Sequence, residues 1–115
     1  MSTQQIPQNQ WNNFLAEFSA HNQKRNVTID LESNELGPQR LVDSRPLLSV
    51  ETDLKDKLDP VITVIAGDPE GGEPAALTHQ VMYPKAIWIK ESDGGEAEAL
   101  DIEASEGRTI IQFVS

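Results

Sequence analysis

Cysteine is absent from the 115-residue chain. Its absence excludes a disulfide scaffold, an iron-sulfur centre held by thiolates and a thiol nucleophile. Positive charge is scarce: nine Lys and Arg stand against nineteen Asp and Glu, a formal charge of -10 and a pI near 4.4. A phosphate backbone or an anionic bilayer would be repelled over most of such a surface, so neither nucleic acid nor membrane is expected as a partner. Long hydrophobic runs are missing too. With 37% hydrophobic residues and a mean hydropathy of -0.44 the chain can build a modest core, but no stretch reaches the length of a membrane span. Met1 to Ile6 lacks the basic and apolar regions of a secretory signal, which points to a soluble cytoplasmic protein. The length fits a single domain over residues 1–115. Asn26-Val27-Thr28 matches a glycosylation acceptor but reads better as strand sequence.

Catalytic motifs are equally thin. Only His21 and His79 can supply imidazole, and neither has a second ligand at metal-site spacing. The loop Gly67 to Pro74 is rich in glycine and carboxylates yet lacks the lysine of a phosphate-binding loop and the order of an EF-hand, so a solvated turn is preferred over a cation site. No nucleophile elbow and no Ser, His and acid combination stands out. The alternation of Tyr83 with Lys85 and of Trp88 with Lys90 is a weak nucleic-acid pattern in an acidic field. No catalytic residue, cofactor or metal is expected from these absences.

What is present is a change of period. Trp11, Phe14, Leu15 and Phe18 recur at helical spacing, with Pro7 suited to the first turn and Lys24 and Arg25 to the end, which predicts a helix over 7–22, roughly 22 Å long for the fifteen residues from Pro7 to His21. These side chains read as anchors of the helix on a sheet, with a partner-binding face as the alternative. Beyond the helix the apolar period drops to two. Val27, Ile29 and Leu31 alternate with Thr28, Asp30 and Glu32. Gln39 to Asp43 and Leu47 to Thr52 read as separate strands divided at Pro46, and Asp53 to Pro60 as a connection. Val61 to Ala66 is the most β-branched run and the candidate central strand, Leu77 to Tyr83 and Ala86 to Glu91 form a pair around Pro84, and Leu100 to Ala104 with Thr109 to Val114 forms a hairpin. The class is α+β: an amino-terminal helix packed on a strongly curved antiparallel sheet spanning 26–115, with a small SH3-like, partly open β-barrel as one form of it.

Candidate contact residues follow from polarity and reach. His79 beside Thr78, the aromatic rings of Tyr83 and Trp88, and Asp101 and Glu103 in the acidic carboxyl-terminal strand are the side chains expected to meet a ligand or partner. Glu91 to Glu106 holds seven acidic residues and no basic one, a field that would steer a basic or mixed-charge protein partner and also guard a sheet edge. The leading expectation is a non-enzymatic interaction or accessory domain, as a monomer or weak dimer; the alternative is a small-ligand-binding protein or enzyme using a pocket near His79.

The order Ile6-Pro7, Trp11, Phe14, Leu15, Phe18, then Pro46-Leu47, Asp53-Leu54-Lys55-Asp56, Thr78-His79, Pro84, Ile87-Trp88-Ile89 and Leu100-Asp101-Ile102-Glu103 resembles a family of small bacterial and archaeal proteins catalogued as a domain of unknown function. The resemblance covers nearly the whole chain and implies a free-standing single domain without a catalytic residue to carry over. Thr78-His79 matches that family's most distinctive polar element. The Gln8-Asn9-Gln10 helix start departs from it, since charged residues are usual there.

Overall fold

A computed structural model describes residues 2–53, 60–67, 76–105 and 107–114. In chain order they form β1 (Ser2–Ile6), a 3-10 turn (Gln8–Gln10), α1 (Trp11–Asn22), β2 (Asn26–Ser33), β3 (Gly37–Asp53), β4 (Val61–Gly67), β5 (Ala76–Met82), β6 (Pro84–Glu91), β7 (Ala97–Ala104) and β8 (Gly107–Phe113). The eight strands make one sheet in the order β1-β6-β7-β8-β2-β3-β4-β5, antiparallel at every junction. Most of the expected Asp53 to Pro60 connection and of the Gly67 to Pro74 loop, including its possible cation site, lies outside the described residues. Among the described residues no helix is long and apolar enough to cross a membrane.

The sheet is bent by β3. Its first part pairs with β2 through Pro46, and its second part, from Leu47, pairs with β4. The two strands expected on either side of Pro46 are therefore one strand of 17 residues. Pro46 is tolerated because one partner ends where the other begins, and Ser44, at φ 54°, turns the chain at that handover. The bend brings the β4-β5 half over the inner face of the other half. His79 on β5 thereby reaches Thr109 on β8, four places away in the strand order. The sheet is curled and not closed: among the described residues β1 and β5 remain its two edges, so no closed barrel forms.

Other expectations change with this topology. β4 neighbours an edge strand, and its apolar run is buried because the bent half faces the rest of the sheet. β5 and β6 do not pair; the chain leaves β5 through Tyr83, whose N–H donates to Pro60 O at 3.1 Å, and crosses to the opposite side of the strand order. β1 is not legible as a strand in the sequence, since Ser2, Thr3, Gln4 and Gln5 show no apolar alternation, and it extends the β-rich part to the amino-terminal side of the helix. The β7-β8 hairpin forms as expected, with Ala104 opposite Gly107. Gly107 sits at φ 149° against β2, and a Cβ there would collide with the Glu32 carbonyl.

α1 starts at Trp11, after the 3-10 turn, rather than at Pro7. Trp11 donates its indole N–H to Ile6 O at 2.9 Å, tying the helix start to the end of β1. Trp11, Leu15 and Phe18 are buried against the inner face of the sheet, whose own contribution includes Ile29, Ile87, Leu100, Ile102 and Ile111. Ser19 secures the middle of the helix to β3, donating to Val50 O at 3.0 Å and accepting from Val50 N at 2.8 Å. The helix is thus fastened on the β3 side of the core.

Candidate functional site

The residues singled out by sequence divide between the two faces of the sheet. Opposed residues of antiparallel strands share a face. Trp88 stands opposite Asp101, and Asp101 opposite Ile110, while Glu103 stands opposite Arg108. These point outward, because the alternate residues Ile87, Ile89, Leu100 and Ile102 fill the core. His79 is opposite the buried Val64 and points inward. Its Nε2 shares a 3.2 Å hydrogen bond with Thr109 Oγ1, and burial holds the imidazole below its usual pKa. Thr78 is exposed on the other face of β5, and Tyr83 lies 47% exposed at the turn with φ 54°. Trp88, Asp101 and Glu103 are thus brought together; His79, Thr78 and Tyr83 do not join them. His79 is thus a half-buried side chain bonded to a hydroxyl across the curl. Among the described residues no group of His, Asp and Glu is gathered to hold a metal ion.

On the outer face, Ala99 is small between larger neighbours and leaves a hollow of about 330 Å³ lined by Thr3, Trp88, Lys90, Ala99, Asp101, Arg108 and Ile110. Its charges are loosely engaged. Arg108 Nε stands 3.6 Å from Asp101 Oδ1, and Lys90 Nζ stands 4.0 Å from Glu98 Oε2, both beyond ordinary hydrogen-bond length. Among the described residues, Asp101 Oδ1 is buried without a hydrogen-bond donor. Burial raises the Asp101 carboxyl above its usual pKa, against the opposing pull of Arg108 and with the help of Glu103 and Glu32.

On the inner side a different cleft opens between α1 and the β6-β7 turn, with a volume of about 500 Å³. The helix leaves it by leaning on β3. Phe14, Phe18, Ile89 and Ala97 provide apolar walls, and Glu17, Glu91 and Glu96 bring three carboxylates, with His21 beside them. Phe14 stacks on Phe18 at 6.0 Å between centroids, and Phe18 meets Phe113 at 5.7 Å. Arg25 also borders the cleft, but its guanidinium is engaged: Nη1 donates to Asn22 Oδ1 at 2.7 Å and to Ala97 O at 3.1 Å, and the group lies 4.0 Å from the Phe113 centroid. Asn22 is itself buried and held, donating to Phe18 O at 2.8 Å. The turn that carries Glu96 is closed by Gly95 N–H to Ser92 O at 2.9 Å and by Ser92 N–H to Glu96 O at 2.8 Å, with Gly95 at φ 85°.

Sequence reasoning does not identify this cleft. A signal for it exists in the helical stripe: Trp11, Leu15, Phe18 and Asn22 mark the buried line, and Phe14 falls at its edge on the side of Glu17 and His21. An aromatic at the edge of a stripe, flanked by ionisable residues on that same side, marks a boundary between core and opening. Its opposite wall on β6 and β7 depends on topology.

The chain belongs to the Family of unknown function (DUF5335), whose profile matches residues 2–115, as the resemblance in its sequence pattern implied. It is 26% identical over 111 residues to an "Uncharacterized protein" of Aquifex aeolicus (strain VF5), covering 96% of this chain and 90% of that protein. No solved structure matches it.

Proposed function

We propose that the domain is a non-enzymatic interaction module that takes a basic amphipathic segment of a partner protein into the cleft between α1 and the β6-β7 turn. The carrying observation is the pairing of phenylalanine-lined walls with Glu17, Glu91 and Glu96, while the strongest cation at the cleft, Arg25, is already committed to Asn22, Ala97 and Phe113. Apolar side chains of the segment would cover Phe14 and Ile89, and its lysines or arginines would meet the rim carboxylates. The acidic stretch from Glu91 onward forms one wall, in keeping with a basic or mixed-charge protein partner rather than a nucleic acid or an anionic membrane.

The test is titration of the labelled protein with a ten-residue peptide of alternating leucine and lysine, followed by amide NMR. The expected result is saturable shifts centred on Gly95, Glu96, Ala97 and His21. Glu91→Gln combined with Glu96→Gln should weaken binding about fivefold to tenfold, since exposed ion pairs contribute up to about 1 kcal/mol each. Shifts centred elsewhere, or an affinity indifferent to that double substitution, would overturn the proposal.

A further inference from the structure

The outer hollow has a chemistry that a basic segment does not use. Its floor and one wall are apolar, from Ala99, Ile110 and the indole of Trp88, and around them stand the carboxylate of Asp101 and the cations Lys90 and Arg108. Along the strands the row Trp88, Asp101 and Ile110 lies between the row of Lys90 and Ala99 and the row of Arg108 and Glu103. A purely cationic ligand would meet two like charges there, and a purely anionic one would meet Asp101. A ligand carrying an ammonium and a carboxylate on the same carbon, with an apolar group attached, satisfies all of the surroundings.

We propose that this hollow is a binding site for a hydrophobic α-amino acid, its ammonium on Asp101, its carboxylate on Lys90 and its side chain on the faces of Trp88 and Ile110. The loose ion pairs favour this exchange. Lys90 Nζ at 4.0 Å from Glu98 and Arg108 Nε at 3.6 Å from Asp101 have little direct hydrogen bonding to give up, and Asp101 Oδ1, the oxygen beside Arg108, has no hydrogen-bond donor among the described residues. Arg108 stays beside Oδ1, so the second carboxylate oxygen of Asp101 takes the ammonium. The volume of about 330 Å³ is at the lower end for a small-molecule site and suits one amino acid rather than a peptide. This site is on the face opposite the cleft and does not rest on the proposal made for it.

The experiment titrates the protein with L-phenylalanine, 3-phenylpropionate and 2-phenylethylamine, following the indole N–H of Trp88 by NMR. L-Phenylalanine should shift that signal saturably, and each single-charge analogue should bind about tenfold more weakly or worse, as expected when a charged hydrogen bond is lost. Lys90→Gln, at an exposed side chain, should reduce the affinity for L-phenylalanine toward that for 2-phenylethylamine. Ala99→Val should fill the hollow and abolish the shift while the denaturation midpoint is kept. No saturable shift up to about 10 mM, equal binding of the three probes, or undiminished binding by Lys90→Gln would each overturn the assignment.

Discussion

Asp101 shows how one side chain can be read correctly for position and only partly for energy. Its alternation with Leu100 and Ile102 is enough to place it on the outer face, and Glu103 follows on the same face. Its cross-strand neighbours Trp88 and Ile110, which desolvate it, come from elements whose pairing cannot be read from a linear chain. The consequence is testable through pH. Because the folded-state pKa is raised, the native protein binds the proton more readily than the unfolded chain does. The contribution of Asp101 to stability is therefore most favourable below the unfolded carboxyl pKa, near about 3.9, and is lost as pH rises through the folded value. Asp101→Asn should unfold at higher urea than the parent at neutral pH, with the difference shrinking toward about pH 3. A difference that grows on acidification would reverse the sign and show that the pull of Arg108 exceeds desolvation. His79 carries the opposite lesson. Its half-buried inward position and its bond to Thr109 depend on the bend in β3, which the linear sequence does not show.

At the scale of elements, α1 is the most legible part, since four apolar residues at helical spacing admit few alternatives. What the spacing cannot say is how far the helix covers the sheet. The hydrogen bonds of Ser19 to Val50 and of Thr52 to Asn12 hold it toward β3, and the uncovered side becomes the cleft. Leu15 and Phe14, adjacent in sequence, should therefore respond differently to truncation. Leu15 is 1% exposed, and Leu15→Ala should cost about 2 to 5 kcal/mol, as expected for a cavity in a packed core. Phe14 is half-buried along the cleft, so Phe14→Ala should cost clearly less than that while weakening the basic peptide. Urea denaturation of both variants together with the peptide titration separates the two roles. Equal destabilisation would mean that the whole stripe is core and that the cleft closes in solution. Strand boundaries are less legible for a local reason: at Pro46 and Ser44 the usual breaker signals mark a bend and a change of partner rather than an end.

For the whole molecule, the open order of strands sets a problem that β1 and the net charge answer together. β6 carries Ile87, Trp88 and Ile89, and without a neighbour its free edge would offer unpaired backbone groups beside apolar side chains, the usual template for pairing between chains. β1 covers that edge over five consecutive residue pairs, from Ser2 opposite Glu91 to Ile6 opposite Ile87, and presents serine, threonine and glutamine outward in its place. These residues look featureless in the sequence because their contribution is to be polar at an edge, which has no periodic signature. β1 has no charge of its own to keep copies apart, so the overall charge of -10 has that task, and it acts only as far as salt allows. Deleting residues 2–5 should therefore leave Ile6 to receive the Trp11 indole but expose the edge of β6, and the shortened chain should self-associate. The association should be weak at about 20 mM salt, where the Debye length exceeds about 20 Å, and pronounced at about 0.5 M, where it falls to about 4 Å. Sedimentation velocity of the full and shortened chains at both salt levels reads this directly. If the shortened chain sediments like the full one at both, β1 does not protect the sheet; if it associates equally at both, edge pairing outweighs the charge and the acidic surface is not what keeps the copies apart.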